Sequence, residues 1–383
     1  LILRVFNLFC KMSIKTTIHN YQPGKSIESV MVKYGLKNVI KLASNENPVG
    51  PSTKAIETAK KKISSINRYP DSKSNNLKLV LKKFLSRRYI GLDNLIIGNG
   101  SNEILEFVAR AYLDNKSEVI FSKHSFLVYK IISNNMKAKI IETKPITIKN
   151  DSYLGADLVQ ILDKISKKTR VIFIANPNNP TGTLIDVRSL DNFLKLVPNN
   201  ILVVIDEAYY EYAAFQGYAN SCDLLKIHKN IIITRSFSKI YALAGLRIGY
   251  GISNPKIIET LSSYRQPFNT NMMAQLSAAE SLKDIKFVNA SLDQNKKGLI
   301  YLRKNFDNLG IFYLSTYGNF ITFKIKDSAK KLYELLLKNG IILRPLENYG
   351  LKDYLRVTVG KDSENTKFIS ILKKIIKSNK INV

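Results

Sequence analysis

The residues best suited to covalent chemistry lie in the stretch 234–249, which reads Thr-Arg-Ser-Phe-Ser-Lys-Ile-Tyr-Ala-Leu-Ala-Gly-Leu-Arg-Ile-Gly and follows an apolar run. Its lysine, Lys239, can form an imine with an aldehyde. Ser236 and Ser238 precede that lysine and Arg247 follows it, and hydroxyl and guanidinium groups are good phosphate ligands. The pattern therefore fits an aldehyde cofactor that carries a phosphate. By itself it fits equally well a lysine that merely faces solvent.

Two strings of turn residues stand at the ends of predicted strands. The first, 98–102, reads Gly-Asn-Gly-Ser-Asn before a helix, where free backbone N–H groups and the positive helix end can hold a phosphate. A plain tight turn explains that string equally well. The second, 175–182, reads Ala-Asn-Pro-Asn-Asn-Pro-Thr-Gly, and its two Asn-Pro pairs are unusual even for a strand end. Both strings mark candidate binding loops.

An acidic residue, Asp206, ends the apolar run 201–205 and is followed by Glu-Ala-Tyr. A carboxylate at the end of a buried strand is costly to ionise unless a cation lies near it. Unit charges about 4 Å apart attract by roughly 4 kcal/mol at an effective dielectric constant of 20, enough to keep a carboxylate and a protonated pyridine nitrogen both charged. We therefore predict that Asp206 has a cationic partner. The alternative is an aspartate that caps a helix on the surface.

The elements that must position these residues alternate between strand and helix. Apolar runs predict strands at 95–97, 119–121, 140–142, 171–175, 201–205, 231–234 and 248–251. This alternation predicts an α/β fold with a mainly parallel sheet flanked by helices, and the continuous apolar runs indicate strands buried on both faces. One long helical region is expected at 275–306. A smaller α+β unit, with short strands at 341–344 and 354–358, and a C-terminal helix at 363–378 are expected to follow it.

The length of 383 residues exceeds the roughly 250 to 300 residues at which one core stops growing, so two domains are expected. We place a large domain at 49–271 and a small α+β domain at 272–383. The segment 1–48 is expected to join the small domain, through a turn-rich connection at 41–51.

The chain carries 59 Lys and Arg against 30 Asp and Glu, a formal charge of +29. These basic residues are scattered, so we expect a compositional bias rather than a nucleic-acid partner. With Cys10 and Cys222 as its two cysteines, the chain has no disulfide framework, which favours a cytoplasmic location. No zinc spacing is present, so no metal is expected. The apolar start is too short for a membrane span, and we expect the protein to begin at Met12.

Taken together, these motifs resemble the class I and II aminotransferases over nearly the whole chain. The resemblance implies the aspartate aminotransferase fold and pyridoxal 5′-phosphate as cofactor. It implies that Lys239 forms the imine, that Asp206 pairs with the pyridine nitrogen, and that Asn179 and Tyr209 bind the ring oxygen. The phosphate ligands that it implies are Ser101, Asn102, Ser236, Ser238 and Arg247.

Two positions in this resemblance leave choices open. Phe126 falls where the family stacks an aromatic ring on the cofactor, but a core role for Phe126 remains possible and Tyr129 is a second candidate for the stack. Many relatives have an acidic residue where this chain has Asn102. Because asparagine keeps a side-chain donor, we expect phosphate binding to survive this difference.

Further strings resemble the histidinol-phosphate aminotransferases in particular, at 21–25, 44–51, 68–71, 266–271 and 355–360. The resemblance implies that Tyr69 reaches the cofactor phosphate of a partner subunit, so a homodimer is expected. It implies that Arg344 and Arg356 hold the substrate's phosphate and that Arg356 also takes the α-carboxylate of glutamate. Tyr21 would close over the substrate, and Asn45 joins the substrate-binding set. Surface arginines in salt bridges are the alternative.

The expected activity is transamination between histidinol phosphate and 2-oxoglutarate in histidine biosynthesis, with small-molecule substrates and no nucleic-acid or membrane partner. Close relatives share these segments, so an aromatic or broad-range aminotransferase stays open. A decarboxylase of the phosphothreonine type, built on the same scaffold, is a further alternative. A basic nucleic-acid binder without catalysis would instead show salt-sensitive binding and no cofactor colour.

Overall fold

The structure is a computed structural model that describes residues 24–378 and 381–382. The predictions for Cys10, Met12 and Tyr21 lie outside these described residues. The helices in chain order are α1 (Ile27–Tyr34), α2 (Thr53–Lys62), α3 (Asn75–Leu85), α4 (Ser101–Tyr112), α5 (Leu127–Asn135), α6 (Leu158–Asp163), α7 (Val187–Leu196), α8 (Tyr210–Phe215), α9 (Pro255–Ser262), α10 (Met272–Ser281), α11 (Ile285–Asn308), α12 (Ala329–Lys338) and α13 (Asp362–Lys377). The strands are β1 (Ile40–Lys41), β2 (Leu95–Gly98), β3 (Glu118–Ser122), β4 (Lys139–Thr143), β5 (Thr169–Ala175), β6 (Leu202–Asp206), β7 (Ile231–Ser236), β8 (Gly249–Ser253), β9 (Phe320–Lys324), β10 (Ile341–Ile342), β11 (Arg344–Pro345) and β12 (Tyr354–Thr358).

A seven-stranded sheet in the order β2-β8-β7-β6-β5-β3-β4 forms the centre of the large unit. Strands β7, β6, β5, β3 and β4 run parallel, whereas β8 is antiparallel to both of its neighbours. Ala175 pairs with Asp206, which in turn pairs with Thr234, so β5, β6 and β7 end side by side. The predicted α/β architecture with a mainly parallel sheet is confirmed.

The apolar runs form strands because both faces of the sheet are covered. Along β6, Leu202 and Val204 pack in one hydrophobic core, and Val203 and Ile205 pack in the other. Successive side chains of a strand point to opposite faces, so a continuous apolar run satisfies both cores. The run stops at Asp206, where the sheet meets the cleft described below.

The small unit has a core of its own around an antiparallel sheet, β11-β12-β9. Helices α12 and α13 and the second half of α11 cover that sheet, with Phe306, Phe323 and Phe368 in mutual ring contact. The N-terminal segment adds β1, which pairs in parallel with β10. The segment before the large unit therefore packs with the small unit.

The structure differs from the sequence prediction in three places. The single helical region at 275–306 is two helices, because the chain turns at 282–284 and the Asp284 side chain accepts a hydrogen bond from the Phe287 N–H at 3.3 Å, starting α11 anew. The predicted connection at 41–51 begins with the end of β1. The predicted strand at 341–344 is divided between β10 and β11, which join different sheets.

Helix α11 belongs to both units. Leu292, in its first half, packs in a core of the large unit, and Leu302, in its second half, packs in the core of the small unit. Helix α10 also packs on the large unit through Ala274 and Ala278. The division at residue 271 stays a prediction, and this packing favours a boundary inside α11 instead. Among the described residues, no helix is long and apolar enough to cross a membrane.

Candidate active site

A cleft of about 250 Å³ opens where β5, β6 and β7 end. Neighbouring parallel strands present their carboxyl ends at one edge of a sheet, which is where α/β folds bind ligands. Most of the predicted cofactor ligands line this cleft together: Ser101, Asn102, Phe126, Asn179, Asp206, Tyr209, Ser236, Ser238, Lys239 and Arg247. Segments far apart in the sequence therefore converge on one site.

Lys239 follows β7 and its Nζ donates a hydrogen bond to the Ser44 carbonyl oxygen at 3.1 Å. Burial, together with the nearby positive charges of Arg356 and Arg247 and against an opposing effect of Glu46, lowers the pKa of Lys239 to about 8. A lysine with such a pKa has an appreciable unprotonated fraction near neutral pH. Its amine is therefore available as a nucleophile or as a base.

Asp206 is buried at the end of β6, with 5% of its surface exposed. Its Oδ1 accepts a hydrogen bond from the Thr234 hydroxyl at 2.8 Å and its Oδ2 accepts one from the Tyr129 hydroxyl at 2.9 Å. Burial raises the pKa of Asp206 to about 6, although both hydrogen bonds act in the opposite direction. A cation placed against this carboxylate would stabilise its charged form.

The predicted phosphate ligands form a cradle between the start of α4 and the loop after β7. Arg247 Nη1 donates to the Ser238 hydroxyl at 3.2 Å, and Ser236 Oγ accepts from the Ser238 N–H at 3.0 Å. Gly100 has a φ of +81°, and a Cβ added there would lie 2.5 Å from Arg247 Nη2. A Cβ on Gly249 would lie 2.4 Å from the Ser101 backbone nitrogen. The cradle is therefore closed tightly around backbone N–H, hydroxyl and guanidinium groups.

The two aromatic side chains beside Asp206 differ in their position relative to the cleft. Phe126 lines the cleft, whereas Tyr129 is fully buried behind it, with the two rings edge to face at 5.9 Å. Tyr129 instead stacks on Phe173 of β5 at 4.7 Å. Of the two candidates, Phe126 is therefore the one positioned to stack on a ligand in the cleft.

Asn179 and Tyr209 are linked to residues outside the cofactor set. Asn179 Oδ1 accepts a hydrogen bond from Arg356 Nη1, and Tyr209 Oη accepts one from Asn45 Nδ2 at 2.8 Å. Asn45 is 1% exposed and does not line the cleft itself. Asn45 therefore contacts Tyr209, which lines the cleft, without lining the cleft itself.

Arg344 and Arg356 are neighbours across the pair β11–β12. Both are buried, with 7% and 5% of their surfaces exposed, which excludes the alternative of arginines in surface salt bridges. Arg356 Nη2 donates to the Ala43 carbonyl oxygen at 2.8 Å, so the arginine bridges from the small unit to the segment beside Lys239. Neither arginine lines the cleft itself, and Arg356 is connected to it through its hydrogen bond to Asn179.

Tyr69 is the one predicted cofactor ligand that lies apart from the cleft of its own chain. It is 80% exposed and stacks on Phe268, with the ring centroids 4.5 Å apart. Tyr21 falls outside the described residues. No group of three or more histidine, cysteine or acidic side chains that could hold a metal occurs among the residues that the structure describes.

Sequence reasoning did not identify several contacts that shape the site. Thr234, near the end of β7, and Tyr129, in α5, both donate hydrogen bonds to Asp206. The sequence indicates Tyr129 only as a candidate for the stack, and its sequence neighbourhood gives no signal for this contact. On the opposite face of the sheet, Glu207 accepts a hydrogen bond from Arg235 Nε at 2.9 Å in a fully buried ion pair. The alternation of strand side chains could have predicted that Asp206 and Glu207 face opposite ways.

Comparisons with known proteins agree with this geometry. The family model for class I and II aminotransferases matches residues 37–372. The chain is 42% identical over 361 residues to histidinol-phosphate aminotransferase of Methylobacillus flagellatus, which covers 94% of this chain and 95% of that protein. It is 40% identical to histidinol-phosphate aminotransferase 1 of Nitrosococcus oceani, over 93% of this chain and 94% of that protein.

Solved structures agree on the fold. The histidinol-phosphate aminotransferase of Sinorhizobium meliloti in complex with pyridoxal-5′-phosphate has a TM-score of 0.86 at 22% identity, covering 97% of this chain and 100% of that one. That of Clostridium acetobutylicum has a TM-score of 0.81 at 26% identity, covering 89% and 100%. The chain therefore belongs to the class I and II aminotransferases, in their histidinol-phosphate aminotransferase group.

Proposed function

We propose that this chain transfers an amino group between histidinol phosphate and 2-oxoglutarate, in histidine biosynthesis. One observation carries the proposal: a lysine with a lowered pKa, Lys239, shares a cleft with the buried carboxylate of Asp206 and with the cradle that contains Arg247. The choice of substrate rests on relatives of that name that are about 40% identical over 93% of the chain.

The side chains of the cleft fit pyridoxal phosphate. The cradle offers Ser236, Ser238 and Arg247 to a dianion, and the absence of a Cβ on Gly100 lets the Arg247 guanidinium lie against the backbone before α4. Asp206 offers a buried carboxylate to a ring nitrogen, which suits a group that is protonated and positively charged. When bound, the cofactor supplies an electron sink for the bonds at the substrate's Cα.

Lys239 serves as the base in this proposal. Its Nζ removes the proton from Cα of the amino substrate, and the proton then resides on that nitrogen. A pKa of about 8 suits this role, because Nζ can both accept and return a proton near neutral pH. Phe126 packs against the cofactor ring, and Asn179 and Tyr209 hydrogen-bond its oxygen.

The two arginines are proposed to bind the anionic groups of both substrates. A guanidinium can bind either a carboxylate or a phosphate through two parallel hydrogen bonds. Arg356, already linked to Asn179, would take the carboxylate of glutamate and, with Arg344, the phosphate of histidinol phosphate. Asn45 supports Tyr209, and Tyr21 is proposed to close over the substrate.

We further propose a homodimer in which Tyr69 reaches the cofactor phosphate of the partner subunit. Tyr69 is 80% exposed within one chain, which suits a residue that contacts another subunit, and Ile63 and Ile66 nearby are 55% and 66% exposed. Exposed apolar side chains in one region mark interaction surfaces. Light scattering during size-exclusion chromatography tests the dimer, and a monomer that binds the cofactor at full affinity would refute this role for Tyr69.

A cytoplasmic location is proposed from the low cysteine content.

The experiment that tests the substrate is single-turnover spectroscopy of the purified holoenzyme. Histidinol phosphate, glutamate and phenylalanine are added separately, and the conversion of the bound cofactor to its amine form is followed by absorbance. Fast conversion with histidinol phosphate and glutamate and slow conversion with phenylalanine is the expected result. Equal or faster reaction with phenylalanine would instead assign an aromatic aminotransferase, and release of carbon dioxide would assign a decarboxylase.

A further inference from the structure

The hydroxyl of Tyr129 is held rigidly beneath the cleft. Tyr129 is fully buried in α5, its ring is parallel to that of Phe173 with centroids 4.7 Å apart, and Phe121 packs against it at 6.0 Å. Phe126 meets it edge to face from the cleft side. A ring enclosed in this way cannot turn, so its hydroxyl has a fixed direction. That direction is toward Asp206 Oδ2, at 2.9 Å.

Asp206 is thus held from two flanks. Tyr129 on α5 donates to one carboxylate oxygen, and Thr234 on β7 donates to the other at 2.8 Å. A carboxylate has about four acceptor sites on its two oxygens, so each oxygen retains capacity for a further donor. The plane of the carboxylate is therefore fixed before any ligand binds, with free lone pairs on the side of the cleft.

The Tyr129 and Thr234 hydroxyls are the main groups that stabilise the charged form of Asp206, because the other effects around it act against that form. Burial disfavours the charged carboxylate, and the negative charge of Glu207, the residue directly after Asp206, disfavours it further. Glu207 points to the opposite face, where Arg235 pairs with it. The donors that favour the charged form of Asp206 in the structure are Tyr129 and Thr234.

We propose that Tyr129 is a positioning residue, whose hydroxyl, together with that of Thr234, keeps Asp206 ionised and oriented toward the ring nitrogen of the cofactor. This inference rests on the proposed cofactor role of Asp206. Tyr129 itself touches neither cofactor nor substrate. Its effect is on cofactor affinity and on removal of the Cα proton, because a firmly held negative charge keeps the ring nitrogen protonated.

The variant Tyr129→Phe tests this role, since it removes the hydroxyl and keeps the packed ring. The chain offers a matched control in Tyr218→Phe. Tyr218 is 6% exposed and donates to Glu207 Oε1 at 2.9 Å, so it also donates to a buried carboxylate, that of the residue directly after β6, on the face away from the cleft. Both variants are purified with pyridoxal phosphate. The dissociation constant for the cofactor and the thermal unfolding midpoint are then measured for each.

The expected result is a dissociation constant at least about tenfold higher for Tyr129→Phe, which corresponds to the loss of one hydrogen bond to a charged group. For Tyr218→Phe we expect the dissociation constant for the cofactor to change by less than about twofold, although the two variants should lose a similar amount of thermal stability. The primary isotope effect with α-deuterated glutamate should increase in Tyr129→Phe alone, because proton removal becomes slower. Thr234→Ser, which keeps the hydroxyl, should bind the cofactor better than Thr234→Val.

Two outcomes would overturn the inference. One is an equal loss of cofactor affinity in the Tyr129→Phe and Tyr218→Phe variants, which would make the effect one of general stability. The other is unchanged affinity and isotope effect in Tyr129→Phe while Asp206→Asn weakens cofactor binding, which would leave the proposed function intact. A wild-type protein that fails to bind pyridoxal phosphate would overturn the proposed function as well.

Discussion

Replacing Gly100 with alanine is expected to weaken cofactor binding strongly while leaving the fold intact. Gly100 has a φ of +81°, and a Cβ at this position would lie 2.5 Å from Arg247 Nη2. That distance is about 1 Å shorter than an ordinary contact. Since Gly100 lies in the backbone turn before α4, the guanidinium is the group that must move.

The magnitude has two parts. A residue with a side chain in this backbone conformation is strained by about 1–3 kcal/mol, which lowers stability. Displacement of Arg247 removes a charge-assisted hydrogen bond to the phosphate, worth about 1.5–3 kcal/mol. The second part acts on binding, so the dissociation constant for pyridoxal phosphate should rise by about ten- to a hundredfold.

Gly217→Ala is the control, because Gly217 has a φ of +94° with no atom within 4 Å of an added Cβ. Both variants should lose thermal stability to a similar extent, and only Gly100→Ala should lose affinity for the cofactor. The assay is a titration of the apoenzyme with pyridoxal phosphate, followed by absorbance. Equal affinities of Gly100→Ala and wild type would refute the assignment of this cradle to the phosphate.

Three further predictions concern the lysine and the buried ion pair. Lys239→Ala should lose both turnover and the absorbance of the lysine-bound cofactor, and retention of both would contradict its assignment. Because the pKa of Lys239 is lowered to about 8, the rate at which the apoenzyme captures pyridoxal phosphate should rise as pH increases toward 8 and level off above it. The measurement is a stopped-flow pH series. A rate that falls over this range would exclude a limiting role for the free amine. Glu207→Gln should lower the free energy of unfolding by about 3–5 kcal/mol, since it leaves the Arg235 charge buried without its partner. In urea unfolding, the exposed pair of Lys283 and Glu280 provides the control, and Glu280→Gln should lose less than about 1 kcal/mol.

The strands of the large unit and the residues at their ends follow from the sequence. Continuous apolar runs such as that of β6 have no other stable location than a sheet covered on both faces. Once the sheet is parallel, its strand ends must meet, which brings Asp206 close to the stretch that contains Lys239. The cleft was therefore predictable from local patterns and one rule of topology.

Contacts between distant segments were not predictable in this way. Strand β1 consists of Ile40 and Lys41, and it forms because residues 341–342 present an open edge about three hundred positions later in the chain. Its two residues carry too little pattern to predict a strand. The contact of Tyr129 with Asp206 depends on how α5 packs on β5, and a tyrosine with a helical neighbourhood gives no sign of its partner.

Helix α11 has a consequence for how this protein loses its structure. Leu292 and Leu302 anchor the same helix in two different cores. If either unit unfolds, α11 loses part of its buried apolar contact, and the other unit packs on the same helix. Melting should therefore be one concerted event in which the cleft at the ends of β5, β6 and β7 disappears together with both cores, rather than a stepwise loss of first one unit and then the other.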